Sequence, residues 1–429
     1  MPSIPRSALA LAVLLPLLHG CGGSTDQGYV RLVNATTDYS ALSLYESTSE
    51  LTASIASDTV GSYAGLDAGT YDLDIRSAGS SSNAATSSQA VATGDHFTLV
   101  AYVDAGTLET ATLTDDEDKP SSGYAKLRIF NAAPAAATSV DVYVTATACS
   151  ALGTSDTAVA TGVTGLQDGY VSVVAASAGS SWHVCVTGTG DRGDLRLDIP
   201  ALTLTSQQIA TLILTKTTGG VLMNGLLLNQ QGTLASYANA SVRMRLVADA
   251  ANGGVVTAAA NGTTLGAAYA SPTVSAWRTV SAGDLALTLA IDGVTIPKTG
   301  LTAAAGGDYT LLVAGSASVP TVSLLTDDDS RPTNASLPVR MRLVNGLNGI
   351  VGSAMLTSDG VVVGDSVAFG AASADANIAA SAAAASLQVT QAGTTLWQVS
   401  GQTLTSGSVY TVFLLGDASA VHGVLRVDN

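Results

Sequence analysis

Apolar and polar residues alternate over short stretches along most of the chain, and one such stretch recurs four times. Each copy places an arginine after an apolar residue, adds two further apolar residues and, in three copies, ends with asparagine. The copies are Val30–Asn34, Leu127–Asn131, Met244–Ala248 and Met341–Asn345. A period of two residues is typical of a β-strand. Each copy therefore predicts a strand that opens a structural unit.

The spacing of the four arginines indicates whole domains. Arg31 and Arg128 are 97 residues apart, Arg128 and Arg245 are 117 apart, and Arg245 and Arg342 are again 97 apart. These periods match small β-domains, whereas solenoid repeats are about 20–50 residues long. We expect an all-β chain of four tandem antiparallel β-sandwich domains of immunoglobulin-like architecture, preceded by a lipoprotein signal peptide. The predicted bounds are 1–20 for the signal peptide, 21–28 for a lipidated cysteine and tether, and 29–119, 120–238, 239–332 and 333–429 for repeats 1 to 4.

Further strands recur inside the repeats. Phe97–Val103 and Thr107–Leu113 flank the turn residues Asp104 to Gly106, which is typical of a β-hairpin. The alanine run Ala379–Ala385 has high helix propensity. Because it occupies the place of a strand in the other repeats, we predict a strand there as well.

The first 21 residues resemble a bacterial lipoprotein signal. Arg6 precedes an apolar run of about 11 residues, which is too short to span a membrane, where roughly 20 are needed. The run ends in Leu18-His19-Gly20-Cys21, similar to a lipobox, although His19 departs from the usual small residue. We expect lipidation at Cys21 and an outer-membrane anchor, because Gly22 is not the aspartate of an inner-membrane retention signal. An ordinary cleaved signal with a chance cysteine is the alternative.

Composition excludes one class of partner. The net charge is −16, and only 12% of the residues are charged. Such a surface repels phosphate backbones, so we expect no nucleic-acid binding. The content of Ala, Val, Leu, Thr and Ser with only 5% aromatic residues is typical of strands with few large side chains.

The remaining two cysteines lie in the second repeat. Cys149 and Cys185 are 36 residues apart in a chain expected to enter an oxidising compartment. We predict that they form a disulfide, with two buried free thiols as the alternative.

No constellation in the sequence points to catalysis or to a cofactor. A nucleophilic hydrolase needs a serine, a histidine and an acid, often with a Gly-x-Ser-x-Gly elbow, and no such elbow is present. Outside the signal, the histidines are His96, His183 and His422, one each in repeats 1, 2 and 4. A solvated strand-end position explains His96 better than catalysis does. No repeat gathers three zinc ligands at metal spacing, so we predict no catalytic, cofactor or metal residues.

Two acidic runs end the first and third repeats. Asp115–Asp118 precedes Pro120, and Asp327–Asp329 precedes Pro332. The carboxylates could hold calcium, form a solvated linker, or pair with the recurrent arginines, and a surface pair contributes only about 0–1 kcal/mol. The stretch from Gln230 to Ala240 has neither an acidic run nor a proline. We expect two stiff pairs of domains with a loosely held hinge there, open to proteases.

Aromatic residues do not form an evident sugar platform. Trp182 and Trp277 fall at expected strand positions, so filling of a core explains them better than glycan binding does. Tyr63 in repeat 1 and Trp277 in repeat 3 occupy equivalent places, six residues before a turn glycine.

The junction between the first two repeats resembles a known family. The stretches Asp115–Pro120, Gly123–Pro134 and Ser139–Val144 are similar to the bacterial domain of unknown function 4397, which is common in envelope lipoproteins. The resemblance implies a β-sandwich on the cell envelope. The family has no established activity, so the resemblance transfers no catalytic residue.

These features favour a non-enzymatic, lipid-anchored cell-envelope protein that acts as a multidomain spacer or as an interaction or adhesion module. The expected partners are the membrane, through Cys21, and an unidentified protein or glycan. A ligand-binding lipoprotein for glycan or peptidoglycan is the alternative, and a hydrolase is a third, disfavoured one.

Overall fold

The computed structural model describes residues 26–177, 179–334 and 336–429, and the side chain of Ala383 is not described. Nearly all regular structure is β, with two short 3-10 turns at Cys149–Ala151 and Ala251–Gly253. Among the described residues, no helix has the length and apolar character needed to cross a membrane. The predicted signal peptide and Cys21 lie outside the described residues.

The described residues of the first two repeats form eighteen strands. Repeat 1 has β1 (Gln27–Asn34), β2 (Ala41–Glu46), β3 (Ser49–Ala56), β4 (Thr59–Val60), β5 (Ala64–Asp67), β6 (Gly69–Ser77), β7 (Ala85–Val91), β8 (His96–Asp104) and β9 (Thr107–Thr114). Repeat 2 has β10 (Tyr124–Asn131), β11 (Val140–Thr145), β12 (Ala160–Val163), β13 (Val171–Val174), β14 (Trp182–Gly188), β15 (Asp191–Leu202), β16 (Ile209–Lys216), β17 (Met223–Asn229) and β18 (Leu234–Tyr237).

The last two repeats follow the same plan. Repeat 3 has β19 (Ser241–Ala250), β20 (Val255–Ala260), β21 (Thr263–Ala270), β22 (Thr273–Val274), β23 (Arg278–Ser281), β24 (Gly283–Asp284), β25 (Leu287–Ile291), β26 (Val294–Thr295), β27 (Thr302–Ala303), β28 (Asp308–Ser316) and β29 (Val319–Asp327). Repeat 4 has β30 (Val339–Asn345), β31 (Ala354–Ser358), β32 (Val361–Val367), β33 (Ala371–Ala372), β34 (Ala376–Ile378), β35 (Ser381–Gln391), β36 (Thr394–Leu404), β37 (Val409–Asp417) and β38 (Ala420–Val427).

Each repeat forms two main sheets, and the arginine strand lies inside one of them. In repeat 1 the order is β4-β1-β8-β9, with β5 also on β1, and the second sheet is β3-β2-β6-β7. The arginine strand pairs parallel with the first strand of the late hairpin in every repeat, as β1 with β8 does. The remaining strand pairs are antiparallel. The prediction of tandem β-sandwiches is confirmed, while the immunoglobulin-like detail stays a prediction.

The predicted strand at the alanine run is also confirmed, because β35 covers Ser381–Gln391 and pairs with β36. The strands of each sheet come from one repeat. The chain enters its first strand at Gln27, two residues before the predicted start of repeat 1. The domain bounds themselves stay a prediction.

Both faces of the arginine strand are buried, which the alternation of its side chains explains. In β1, Val30 and Leu32 point into the core between the two sheets of repeat 1. Val33 points the other way and belongs to a second apolar cluster shared with repeat 2. Successive side chains on a strand point to opposite faces, so Arg31 lies on the same outer face as Val33.

The asparagine that ends three arginine strands has a structural role. Asn34 donates its side-chain amide to the carbonyl oxygens of Tyr39 and Ile55, at 3.0 and 3.1 Å. Its Oδ1 accepts the backbone N–H two residues later, as do those of Asn131 and Asn345. Buried backbone groups that leave a sheet need such partners.

The repeats pack in two pairs through apolar contacts. Repeats 1 and 2 share a cluster centred on Phe130, whose ring meets Tyr102 edge-on at 5.2 Å. Repeats 3 and 4 share a cluster that contains Val247, Val344 and Phe413. The outer faces of the arginine-strand sheets therefore form the interface of each pair.

The junction between repeats 2 and 3 differs from the loosely held hinge that the sequence suggested. Leu234–Tyr237 forms β18 on the edge of β17. Buried Asn239 donates to the carbonyl oxygens of Arg196 and Met223, at 2.8 and 2.9 Å. The hinge was predicted because this stretch has neither proline nor an acidic run. That inference failed, because amide side chains and backbone groups supply the hydrogen bonds.

A second contact joins repeats 2 and 3 through two glycines. Gly219 exchanges backbone hydrogen bonds with Gly306 and Asp329. Gly220 has a positive φ of 92°, and a Cβ atom there would stand 2.2 Å from the backbone nitrogen of Ser330. Only glycine allows this close approach.

Candidate functional site

The four arginines share one local arrangement. Each donates its Nε–H to a threonine hydroxyl directly across the parallel strand pair. The pairs are Arg31 with Thr98 at 2.7 Å, Arg128 with Thr211 at 3.2 Å, Arg245 with Thr310 at 2.8 Å and Arg342 with Thr411 at 3.2 Å. All four arginines are buried. The parallel register thus fixes every guanidinium on the outer face of its sheet.

An aromatic ring covers three of the guanidinium groups. Tyr63 lies 4.4 Å from the Cζ of Arg31, Tyr170 lies 4.5 Å from that of Arg128, and Trp277 lies 4.4 Å from that of Arg245. Each ring comes from the residue just before a strand that pairs with the arginine strand. In repeat 4 that place is taken by Asp375. Such stacking adds cation–π attraction to a buried charge.

The sequence suggested that Trp277 fills an apolar core. The structure instead places its ring over two buried arginines. Trp277 lies between β22 and β23, half-buried, with Arg243 and Arg245 at 4.4 Å from its ring. Trp182 is on β14, also half-buried, and donates to the carbonyl oxygen of Val174 at 3.0 Å. The equivalence of Tyr63 and Trp277 was visible from spacing, but the charge beneath the rings was not.

Repeats 3 and 4 share a dense network of buried charges. Arg245 donates from Nη2 to Asp327 at 3.1 Å and to Asp428 at 3.2 Å. Nη2 of Arg342 donates to Asp327. Nη1 of Arg342 donates to the carbonyl oxygen of Thr326 at 2.8 Å. Arg243 pairs with Asp308 and, at 3.4 Å, with Asp329. Asp327 thus links the arginine of its own repeat to that of the next.

The network shifts the pKa values of its members. Burial raises the pKa of Asp308 to about 7 and that of Asp329 well above its usual value, although Arg243 opposes both shifts. Burial lowers the pKa of Arg245, but the carboxylates of Asp428 and Asp327 raise it above its usual value. The arginines therefore stay charged, and Asp308 and Asp329 hold protons more tightly than free carboxyl groups do.

The first aspartate of each acidic run, Asp115 or Asp327, is tied to the recurrent arginines by buried pairs, which is one of the alternatives that the sequence left open. Asp115 accepts from Tyr63 at 2.5 Å and lies 3.5 Å from Nη2 of Arg31. Asp116 lies 3.2 Å from Nδ1 of His96, and Glu117 pairs with Lys126. Bonds to protein groups occupy these carboxylates, which favours ion pairing over a calcium site.

Arg128 differs from the other three arginines. It is 8% exposed, and within the described part of the chain its Nη2 has no hydrogen-bond partner. In each of the other three arginines, Nη2 contacts an aspartate carboxylate. Arg128 lines a cleft of about 460 Å³ between repeats 1 and 2. The cleft is also lined by Thr114, Asp116, Glu117, Lys126, Asp168, Gly169 and Tyr170.

The structure contains the predicted disulfide between Cys149 and Cys185. It fixes the 3-10 turn Cys149–Ala151 to β14, in a small cluster with Tyr143. Closing a loop over 36 residues stabilises by roughly 3–4 kcal/mol in the chain-entropy model.

One group of side chains has the spacing of metal ligands. Cys149, His183 and Asp198 bring their ligand atoms within 4.8 Å of one another. The sulfur of Cys149 is bonded to that of Cys185, so it supplies no thiolate. The group is therefore not a metal centre in the oxidised protein.

Two of the histidines each lie beside an aspartate. His96 faces Asp116, and His183 lies 3.4 Å from Asp198. In the part of the chain that the structure describes, neither imidazole hydrogen-bonds to a serine hydroxyl. His422 is exposed on β38.

Comparison with known proteins supports the family resemblance. Residues 28–143, which span repeat 1 and the start of repeat 2, match the family described as a domain of unknown function (DUF4397). No curated protein matches the chain.

Two solved structures give distant matches. The first is CBMbc (family CBM26) from Eubacterium rectale Amy13K in complex with maltoheptaose, with 11% identity and a TM-score of 0.16 over 49% of this chain and 96% of that one. The second is the Bacillus anthracis TIE protein, with 10% identity and a TM-score of 0.14 over 91% of this chain and 68% of that one. Neither likeness is close enough to carry an argument.

Proposed function

We propose that the protein is a non-enzymatic, lipid-anchored component of the bacterial cell envelope, in which two stiff pairs of β-sandwich domains act as a spacer or as an interaction or adhesion module. The observation that carries the proposal is the buried interface of each pair. There the outer faces of the arginine-strand sheets bury apolar side chains against each other.

The interface chemistry supports stiffness. An inter-domain contact with an apolar centre resists sliding, because movement would expose that surface to water at about 25 cal/mol per Å². Buried ion pairs fix the register, because a charge that loses its partner away from water costs several kcal/mol. Repeats 3 and 4 have both features, because Asp327 bridges Arg245 and Arg342 and Asp428 pairs with Arg245.

The proposed anchor is Cys21, on the strength of the lipobox-like sequence. Strand β1 begins at Gln27, six positions later. Six residues span at most about 20 Å. Lipidation would therefore hold repeat 1 close to the outer membrane, and the repeats that follow would extend from it.

Metabolic labelling with a fatty-acid analogue tests the anchor. Wild-type protein should take up the label and remain in the membrane fraction, whereas Cys21→Ser should do neither. A labelled, membrane-bound Cys21→Ser variant would refute lipidation at this residue.

Binding of a glycan or peptidoglycan ligand is the second candidate function. The observation that favours it is the cleft beside Arg128, where a buried guanidinium nitrogen has no hydrogen-bond partner among the residues that the structure describes. A hydrolase is the third and disfavoured candidate, because the sequence has no nucleophile elbow.

A further inference from the structure

The two interfaces differ in their balance of buried charge. Between repeats 1 and 2, the buried ionic groups of the arginine cluster are Arg31, Arg128 and Asp115. This cluster has two positive charges and one negative charge. Between repeats 3 and 4, the buried cluster comprises Arg243, Arg245, Arg342, Asp308, Asp327, Asp329 and Asp428. Among the described residues, buried arginines thus outnumber buried carboxyl groups at the first interface, whereas carboxyl groups outnumber arginines at the second.

Two substitutions within the repeat pattern account for the missing carboxylate at Arg128. Asp428, which faces the start of β37, is replaced in repeat 2 by Gln230, which faces the start of β16. The amide of Gln230 donates to the carbonyl oxygen of Glu117 at 2.8 Å. A carboxylate that could pair with a buried arginine is therefore missing from repeat 2.

The second substitution is Tyr63 in the place of Trp277. The hydroxyl of Tyr63 donates to Oδ2 of Asp115, and the hydroxyl of Thr98 donates to the same oxygen. In the other pair, the equivalent Asp327 reaches Arg342 of the following repeat. Asp115 is held by its own repeat instead, so Nη2 of Arg128 has no carboxylate partner in residues 26–177, 179–334 and 336–429.

The cleft gives this guanidinium a route to an outside ligand. Arg128 is held from one side by Thr211 and from another by the ring of Tyr170. Lys126, on the same strand, also lines the cleft, but its Nζ is bound by Glu117 and by the carbonyl oxygen of Asp118. A pre-positioned guanidinium loses little entropy when it binds an anion.

We propose that the cleft between repeats 1 and 2 binds the carboxylate group of a small, water-soluble ligand, and that the guanidinium of Arg128 is the anion-binding group. The ligand carboxylate takes the role that aspartate carboxylates have at Arg31, Arg245 and Arg342. The fork of an arginine matches a carboxylate in geometry.

The rim of the cleft argues for a carboxylate over a phosphate. Asp116, Glu117 and Asp168 line the same cleft. A group with a single negative charge meets less repulsion from these acids than a doubly charged phosphate does. Acidic sugars and peptide C-termini both present such a carboxylate.

Saturation-transfer NMR on the purified full-length protein in detergent tests the proposal. The probes form matched pairs, D-glucuronate with D-glucose and N-acetyl-D-alanine with its amide. Inorganic phosphate, which has no carbon-bound protons to observe, is added as a competitor, and its affinity is taken from the loss of the carboxylate signals. A carboxylate probe that binds should give a saturation-transfer signal, whereas its uncharged counterpart should give none. Preference for glucuronate would assign an acidic sugar as the source, and preference for N-acetyl-D-alanine would assign a peptide terminus.

A substitution at Gly169 can place a competing carboxylate in the cleft, and a second substitution there serves as its uncharged control. A Cβ atom at Gly169 would meet nothing within 4 Å, so a longer side chain is accommodated. Gly169→Glu should supply an internal carboxylate to Arg128 and weaken probe binding roughly tenfold or more. Gly169→Gln, which has the same shape without the charge, should bind the probes as wild type does.

A third variant removes the binding group itself. Arg128→Gln should lose the carboxylate signal, while Lys298→Gln in repeat 3 should keep it. Equal signals from carboxylates and their neutral twins, stronger binding of phosphate than of either carboxylate, or undiminished binding by Gly169→Glu would each overturn the proposal.

Discussion

Arg245 of repeat 3 and Asp428 of repeat 4 form an ion pair with side chains that are 2% and 0% exposed. Nη2 of Arg245 donates to Oδ2 of Asp428 at 3.2 Å, and Nη1 contacts Oδ1. Asp428 also accepts from the hydroxyl of Thr411 at 2.5 Å. A residue next to the last position of the chain thus closes a network that begins in the preceding repeat.

Asp428→Asn should destabilise the protein. The substitution removes one of the two carboxylates that pair with Arg245, and breaking a buried pair from one side costs up to about 3–5 kcal/mol. Urea unfolding would measure the loss. Asp365→Asn, at an exposed position of β32, should change the free energy of unfolding by less than about 0.5 kcal/mol. Equal effects of the two variants would show that the buried pair contributes nothing.

Gly220→Ala should disrupt the contact between repeats 2 and 3. The new Cβ atom would clash with the backbone of Ser330, in addition to the strain of a positive φ. Gly190→Ala has the same kind of φ, but its Cβ atom would meet nothing within 4 Å. We expect Gly220→Ala to lower the melting temperature clearly more than Gly190→Ala does. Similar losses of melting temperature in the two variants would show that backbone strain, and not a clash with Ser330, causes the effect.

Limited proteolysis should spare the stretch from Gln230 to Tyr237. Its backbone is engaged by β17, and the carbonyl oxygen of Gly232 accepts from Nη1 of Arg31 at 2.7 Å. Proteases cut where the backbone opens at low cost. Mass spectrometry of early fragments would locate the cuts. First cleavage within this stretch would restore the hinge interpretation that the sequence suggested.

Stability should fall as pH rises from about 4 to 8. Burial raises the pKa of Asp249 to about 8 and that of Asp308 to about 7. Aspartates in the unfolded chain titrate near 3.9, so the folded state binds more protons in this window. The stabilisation from these extra protons is fully present at pH values below the pKa in the unfolded chain. It is lost as the pH rises towards the pKa in the folded protein.

Asp249→Asn tests this dependence, because asparagine does not ionise. Oδ2 of Asp249 has no hydrogen-bond partner among the described residues, and Oδ1 accepts from the N–H of Gly416. The variant should match wild type near pH 4 and exceed its stability by several kcal/mol, up to about 5, at pH 8. Melting temperatures at several pH values would show this, with Asp365→Asn as the control. A constant difference at all pH values would contradict the assignment.

The sequence predicted the strands well because period-two alternation and turn residues act locally. The repeats, the late hairpins and the strand over the alanine run followed from these signals. The alternation also placed Arg31 on the face opposite Leu32. It could not show that this outer face is buried too, because burial there depends on the neighbouring repeat.

The candidate site was less visible for the same reason. Tyr170 and Gln230 have no pattern that separates them from ordinary turn and linker residues, yet they determine the surroundings of Arg128 and the loss of a carboxylate from repeat 2. An alignment of the four repeats around the arginine would have shown aspartate at the strand end in repeats 1, 3 and 4 and glutamine in repeat 2. The cleft itself arises from two repeats that meet in space.

The most direct test of the stiff pairs is the distance between spin labels in repeats 3 and 4. Labels on cysteines at the exposed positions Thr295 and Thr394, in a Cys21→Ser background, would be measured by double electron–electron resonance. A single narrow distance distribution is predicted, and Phe413→Asp should broaden it by placing a charge in the apolar contact. A broad distribution in the protein without Phe413→Asp would contradict the stiff pairing on which the proposed spacer depends.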